Sequence, residues 1–344
     1  MAELYANDCL DFKQDVPDKF RVFEGIGKVW GAMRRVKVYD SNDFPGYLPK
    51  LNNLYDDLFS DGKGFRSALV QKISGPLKLT DRVVDLLCQT IEFIHNASLL
   101  HDDLVDRSQL RRGKPAAWTK YTPEYAVLAG DYLLARVMVN LSGHGNVRLI
   151  QYTSETISDL LEGEWIQDSL VRDFNITLPQ LDRVHNLKTG SLFKWCLKAP
   201  FIAAEMYESE LHHLLEECGS ILGLLFQRSD DLLDFDIRNY EGKAVLGDLK
   251  SGYLNSFGVF LTAGLPEDRR QAAFRSQSLG ELKTAVGESY FEERLSEFDR
   301  MNVGLIDLYD HQVKRLGAML GAERGAGIES ELLPLSKPLY WRKK

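Results

Sequence analysis

A chain of 344 residues with 44% hydrophobic residues is long enough to bury a large core, and its formal net charge of -8 argues against a nucleic-acid partner, which would show a basic stripe or patch. Cys9, Cys88, Cys196 and Cys218 are scattered with no C-x-x-C pair, so neither a zinc site nor a dense disulfide framework is expected, and a reducing cytoplasm is the expected setting. Residues 1–15 carry acidic side chains and no unbroken apolar core, unlike a secretory signal, and no run approaches the ~20 apolar residues that span a bilayer.

From about Pro17 onward apolar residues recur at helical spacing, and period-two runs rich in Val, Ile and Thr are scarce. The chain therefore predicts an all-α fold, with helices near 18–38, 46–60, 64–76, 81–106, 123–142, 147–172, 178–197, 208–238, 252–263, 267–277 and 280–321. Thr122 before Pro123 suits an N-cap with proline in the first turn. Thr177 with Gln180 three residues later suits a capping box ahead of Leu181, Val184 and Leu187. No Pro/Ser/Gly-rich linker or solenoid repeat interrupts the pattern, so a single helical bundle over 1–344 is expected, with 1–16 and 323–344 as loose ends.

The sharpest local signal is Asp102-Asp103-Leu104-Val105-Asp106, at the end of the long apolar-periodic segment that begins near Asp81. Residues three and four apart share a helix face, so Asp106 lies beside both earlier carboxylates, an arrangement that is repulsive until a cation neutralises it. Magnesium prefers oxygen ligands and is held by one or two carboxylates plus waters and substrate phosphates. One such cluster is equally what a solvated acidic face would show. A second, Asp230-Asp231-Leu232-Leu233-Asp234, repeats the spacing in another long apolar segment, and the pair fits two walls of one bundle cavity.

Basic residues follow the same logic. Arg111-Arg112-Gly113 comes shortly after Asp106 and could curl back over anions bound there, while Lys63 and Arg66 share a helix face. Each pair alone is also an ordinary surface feature. Two acidic and two cationic clusters together describe a site for two diphosphates.

With these motifs in view, the sequence resembles the trans-prenyltransferase, or polyprenyl diphosphate synthase, family. The resemblance runs in order from Gly62 to Asp248. Its strongest blocks are Glu92 to Asp103, Arg111 to Gly113, and Gly223 to Asp234; Gly130 to Leu134, Glu162-Gly163-Glu164, Lys188-Thr189-Gly190 and Gly242-Lys243 also fall where the family places them.

The resemblance implies an isoprenoid synthase fold, a central apolar cavity and a homodimer. It implies condensation of isopentenyl diphosphate with an allylic diphosphate, assisted by three magnesium ions. Asp102, Asp103 and Asp106 would hold two ions, and Asp230, with Asp231 and Asp234, the third. Arg111, Lys188 and Lys243 would add positive charge to the leaving diphosphate. Lys63, Arg66, His95 and Arg112 would bind isopentenyl diphosphate, and Thr189 and Gln227 would sit near the developing allylic cation. Read without the family, His95 is equally a satisfied core histidine, Thr189 a surface hydroxyl and Gln227 a structural hydrogen-bonder. Trp165 and Trp195 are expected in the core.

Some positions depart from the family. Gly64 stands where a further arginine is usual, Ser67 where a proline is usual, and Gly252-Tyr253 where a glycine-lysine pair is expected, with Lys250 nearby as a substitute cation. These departures leave a catalytically weak partner or regulatory subunit as a second reading. A terpene cyclase is a third, although it would not need a second diphosphate site. The positions four and five residues before Asp102 are Ser98 and Ala97, both small, where short-chain members carry aromatics. The floor beneath the first cluster is thus expected to be open down to Ile94, giving a medium or long product, with geranylgeranyl diphosphate as the alternative.

Overall fold

The computed structural model describes residues 44–48, 51, 64–111, 113–235 and 245–341. Among these the chain is all-α apart from one small hairpin. In chain order the elements are α1 (Phe65–Ser74), α2 (Asp81–Val105), β1 (Leu110–Arg111), β2 (Lys114–Pro115), α3 (Ala117–Lys120), α4 (Pro123–His144), α5 (Val147–Ser169) and α6 (Leu178–His185). A π-turn at Asn186–Gly190 follows, then α7 (Ser191–Ala203), α8 (Ser209–Leu233), α9 (Gly247–Lys250), α10 (Ser256–Thr262), α11 (Glu267–Phe274), α12 (Leu279–Val286), α13 (Glu288–Leu320), α14 (Ala322–Leu332) and α15 (Ser336–Tyr340).

Contacts divide the chain into two compact units. One holds the described residues of Ala32–Leu160 together with Ser191–Gly219; the other holds, among the described residues, Leu161–Gly190 and Ser220–Lys344. Each unit is drawn from stretches separated in sequence, so no single cut divides 1–344 into consecutive domains.

In the first unit α2 packs against α1, α4 and α7. Its apolar stripe of Val84, Leu87, Ile91, Ile94 and Leu100 is buried, as helical periodicity requires. Phe65 meets Phe193 at 5.6 Å between ring centroids, and the buried Trp195 indole N–H donates to Thr153 Oγ1 at 3.0 Å. In the second unit α13 packs against α10, α12, α14 and α15 around Phe257, which sets its ring edge-on to Phe235, Phe291 and Phe298.

Local chemistry explains where elements start and stop. Thr122 Oγ1 accepts from the Tyr125 N–H at 3.2 Å, and the Thr177 N–H donates to Gln180 Oε1 at 2.9 Å. The segment predicted at 280–321 is two helices, because Gly287 sits at φ +91° and ψ 128° and breaks the hydrogen-bond ladder between α12 and α13. The segment predicted at 178–197 is interrupted by the π-turn. The tail expected to be loose from 323 is instead α14 and α15, with Ile328, Leu332, Leu339 and Tyr340 buried. Its docking is close: a Cβ on Gly325 would lie 2.1 Å from the Gly317 carbonyl oxygen, so α13 and α14 touch backbone to backbone. The helix predicted at 18–38, nearly all of that at 46–60 and the loose end 1–16 lie outside the described residues. No described helix is long and apolar enough to cross a membrane.

Candidate active site

Both aspartate clusters lie at the C-terminal ends of long helices, and neither α2 nor α8 carries a basic residue in its last turn. The helix dipole is negative there, so each carboxylate adds to an already unfavourable field of about 0.3–1 kcal/mol per charge. Such a placement calls for external positive charge.

In the first unit Asp102 is half-buried, Asp103 is buried and Asp106, the C-cap of α2, is exposed. The chain then folds back on itself. The Ser108 N–H donates to the Asp103 carbonyl at 2.8 Å, the Trp118 indole to the Ser108 carbonyl at 2.8 Å, and Gly113 at φ +76° turns β1 into β2. This returns Arg111 to α2, where its guanidinium grips the Asp103 carboxylate through Nε at 2.9 Å and through Nη2. Arg111 thus curls back onto the aspartate itself.

Beneath the cluster Ala97 and Ile94 are fully buried, Ser98 is half-buried and donates to the His95 carbonyl at 2.9 Å, and His95 is half-buried. Arg66 lies in the first turn of α1, after Gly64 in left-handed conformation at φ +58°. Ser67 makes a link that sequence reasoning missed. Its N–H and hydroxyl both donate to Glu92 Oε1, at 3.2 and 2.5 Å, tying α1 to α2; a proline at 67 could not supply that N–H.

In the second unit the π-turn carries Lys188 and Thr189. Lys188 pairs with Glu164, and a Cβ on Gly163 would lie 2.7 Å from Lys188 Cγ, so glycine between two glutamates lets the turn press against α5. On the other side a Cβ on Gly223 would lie 2.5 Å from Gly190 Cα. That approach brings the Thr189 hydroxyl to Gln227 Oε1 at 3.0 Å. Gln227 passes the connection on, its amide donating to Asp231 Oδ1 at 2.9 Å, while Asp231 Oδ2 accepts from the Ser256 N–H and hydroxyl at 2.8 and 2.5 Å. Burial pushes the Asp231 carboxyl above its usual range, against these hydrogen bonds, which pull it down.

Asp234 Oδ1 accepts from the Gly247 N–H at 2.6 Å, which pins the chain entering α9. Asp230 is half-buried. Both oxygens of Asp231 are thus engaged by protein donors, as both oxygens of Asp103 are by Arg111. Tyr253, where the resemblance expects a lysine, lines with Leu254, Leu261, Phe274 and Leu282 a small apolar recess beside Asp234. Lys250 is exposed and donates to the Val245 carbonyl at 3.0 Å. Lys63, Arg112 and Lys243 lie outside the described residues. Among the described residues no three His, Cys, Asp or Glu side chains form a ready metal cage.

Residues 48–286 match the family model described as polyprenyl synthetase. Among curated proteins, the decaprenyl-diphosphate synthase of Dictyostelium discoideum is 33% identical over 69% of this chain and 52% of its own length. The octaprenyl diphosphate synthase of Escherichia coli is 37% identical over 47% of this chain and 50% of its own, and a prenyl transferase of Synechocystis 34% over 63% and 69%. The chain thus spans about half the length of the first two. A solved decaprenyl diphosphate synthase of Rhodobacter capsulatus superposes with a TM-score of 0.76 at 25% identity, covering 88% of this chain and 92% of its own. A heptaprenyl diphosphate synthase of Staphylococcus aureus gives 0.73 at 24% identity, covering 92% and 96%. The fold is that of the isoprenoid synthases, and the chain belongs to the polyprenyl synthetase family.

Proposed function

We propose that this chain is a head-to-tail trans-prenyltransferase that condenses isopentenyl diphosphate with an allylic diphosphate to a polyprenyl diphosphate of medium or long chain. The observation that carries the reading is the pair of aspartate clusters, each at the C-terminal end of a long helix with no basic residue in its last turn and each framed by hydrogen bonds. Relatives named as decaprenyl and octaprenyl synthases favour the longer product.

The donor sets are carboxylate oxygens, which suit magnesium, an ion that takes its remaining ligands from water and diphosphate. Asp102, Asp103 and Asp106 would hold two ions, and Asp230, with Asp231 and Asp234, a third. When bound, magnesium would neutralise the charge that develops on the departing diphosphate.

The chain's own residues do the rest. Arg111 and Lys188, and Lys243, add positive charge where the allylic carbon–oxygen bond breaks. Lys63, Arg66, His95 and Arg112 hold isopentenyl diphosphate. The Thr189 hydroxyl and Gln227 carbonyl present oxygen dipoles to the allylic cation, while a central apolar cavity keeps water from capturing it. The isopentenyl double bond attacks that cation, a new carbon–carbon bond forms, and a proton leaves to the released diphosphate.

The enzyme is a cytoplasmic homodimer in this reading. Leu161 and Trp165, one turn apart on α5, are 50% and 77% exposed, an apolar patch that a partner copy would cover. The purified chain with magnesium, radiolabelled isopentenyl diphosphate and each of the geranyl, farnesyl and geranylgeranyl primers tests the proposal. Labelled product of roughly six to ten isoprene units is expected if each unit spans about one helical turn. Absence of any elongation would favour the weak partner-subunit reading, to which Gly64 and Tyr253 lend themselves.

A further inference from the structure

Arg228 lies two residues before Asp230 on α8, yet its side chain turns away from the cluster into the second unit and is only 3% exposed. Its guanidinium makes a fork with Asp182 of α6, Nη2 donating to Oδ1 and Oδ2 at 2.9 and 2.8 Å, while Nη1 donates to Asn302 Oδ1 of α13 at 2.8 Å. Asn302 is fully buried. Its amide nitrogen donates to the Phe298 carbonyl at 2.8 Å and to the hydroxyl oxygen of Tyr340, in α15, at 3.2 Å. The Tyr340 hydroxyl in turn donates to Asp299 Oδ1. A continuous buried line therefore runs from the last helix of the chain, through α13, to the turn of α8 that bears the second aspartate cluster.

Geometry gives this line a consequence for the cluster. Successive residues of a helix advance by about 100°, so Arg228 and Asp230 project about 200° apart. Anchoring Arg228 on one side fixes the rotation of α8 that presents Asp230 on the other. A buried guanidinium is costly to leave unpaired, and with the Arg228 Nε already unmet the anchor depends on Asn302 and Asp182 staying aimed at Nη1 and Nη2. Asn302 is aimed by two acceptors, and one of them is Tyr340.

We propose that Tyr340 is a positioning residue for the second aspartate cluster: acting through Asn302 and Arg228, it sets the orientation in which Asp230 meets a divalent cation bound to diphosphate. The inference rests on the reading of Asp230 as a cation ligand given above, and it makes α15 part of the machinery instead of a covering tail.

The test is Tyr340→Phe in the full chain, which keeps the ring and removes the hydroxyl. Two measurements are made at a temperature where both proteins are folded by circular dichroism. One is Mn2+ affinity in the presence of inorganic diphosphate, from electron paramagnetic resonance; the other is the Mg2+ dependence of turnover. Tyr340→Phe is expected to weaken Mn2+ binding about fivefold, below the roughly 10–100-fold typical of groups that touch a metal ligand directly. The magnesium concentration for half-maximal turnover should rise by the same factor, with the Michaelis constant for isopentenyl diphosphate unchanged. Should Tyr340→Phe not fold, Arg228→Lys, which keeps the charge and loses the fork, is expected to show the same split.

A folded Tyr340→Phe with lowered melting temperature but unchanged Mn2+ affinity and magnesium dependence overturns the inference. A wild type that binds Mn2+ with diphosphate yet forms no prenyl product overturns the functional reading instead, and the Mn2+ comparison still decides the role of Tyr340.

Discussion

Thr189 and Gln227 come from the π-turn and from α8, and they meet side chain to side chain at 3.0 Å only because Gly190 and Gly223 bring the two backbones into contact. A methyl group on residue 223 would fall 2.5 Å from Gly190 Cα, and the obstacle is backbone, not the end of a flexible side chain. Gly223→Ala is therefore expected to push α8 and the π-turn apart, at a cost of about 1–3 kcal/mol or more. Turnover should fall with it, since Gln227 then loses Thr189. Urea denaturation and a steady-state assay on one preparation check both; wild-type stability in Gly223→Ala would contradict the close approach.

How legible was this site? The two aspartate clusters and the helices carrying them were readable, because spacing alone puts their carboxylates on one face and long apolar stripes announce α2 and α8. The caps at Thr122 and Thr177 were readable for the same local reason. What escaped depends on contacts distant in sequence. The π-turn at 186–190 forms where Gly163 and Gly223 let neighbours press in, and nothing within Asn186–Gly190 alone signals it. Helices α14 and α15 were missed because Gly321, Gly325, Gly327, Pro334 and Pro338 look like breakers, whereas Gly325 is where α14 touches α13. Trp165, expected in the core, is exposed, while Trp195 is buried as expected. Arg228 reads as one more charge beside two aspartates, and only the fold reveals its partners.

The members of the second cluster should separate in their mutational behaviour. Asp230→Ala removes a carboxylate from a half-buried position and is expected to lower turnover by orders of magnitude while leaving the unfolding curve near wild type. Asp103→Ala should likewise lower turnover by orders of magnitude and keep the helical fold. Asp231→Ala strands the donors of buried Ser256 and half-buried Gln227, so a loss of about 1–3 kcal/mol is expected on top of any loss of activity. Equal stability in Asp230→Ala and Asp231→Ala would contradict the division of roles.

A pH dependence follows from His185. It is buried, and burial, followed by repulsion from Arg228 and Lys188, lowers its pKa from 6.5 to about 4, with Asp182 pulling the other way. Between those two values the unfolded chain takes up a proton that the folded chain does not. The contribution is thus fully present above pH 6.5 and is lost as the pH falls toward 4, by at most about 1.4 kcal/mol per pH unit. His185→Leu should flatten the stability curve in that window relative to wild type, as read by urea midpoints at half-unit steps. Parallel curves for the two proteins would rule out a neutral buried imidazole.

Product length turns on Ala97 and Ser98, five and four residues before Asp102. Ala97 and Ile94 are fully shielded from solvent, and Ser98 is half-buried. Shielding alone does not distinguish a position on the wall of an internal channel from one against solid neighbours, but a phenylalanine does. If Ala97 borders the path of the growing chain, the ring of Ala97→Phe enters that path and stability is nearly kept. The product should then shorten by several isoprene units, because an isoprenoid tail cannot pass a side chain of its own width in a close-packed wall. If Ala97 packs against solid neighbours, the same ring overfills the core, costing about 1–3 kcal/mol with product length unchanged. The expected outcome is the first, and Ser98→Phe should act in the same direction. Reversed-phase chromatography of the dephosphorylated products, run beside urea denaturation of each variant, separates the two. A wild type that stops at farnesyl diphosphate would close the floor that two small residues leave open.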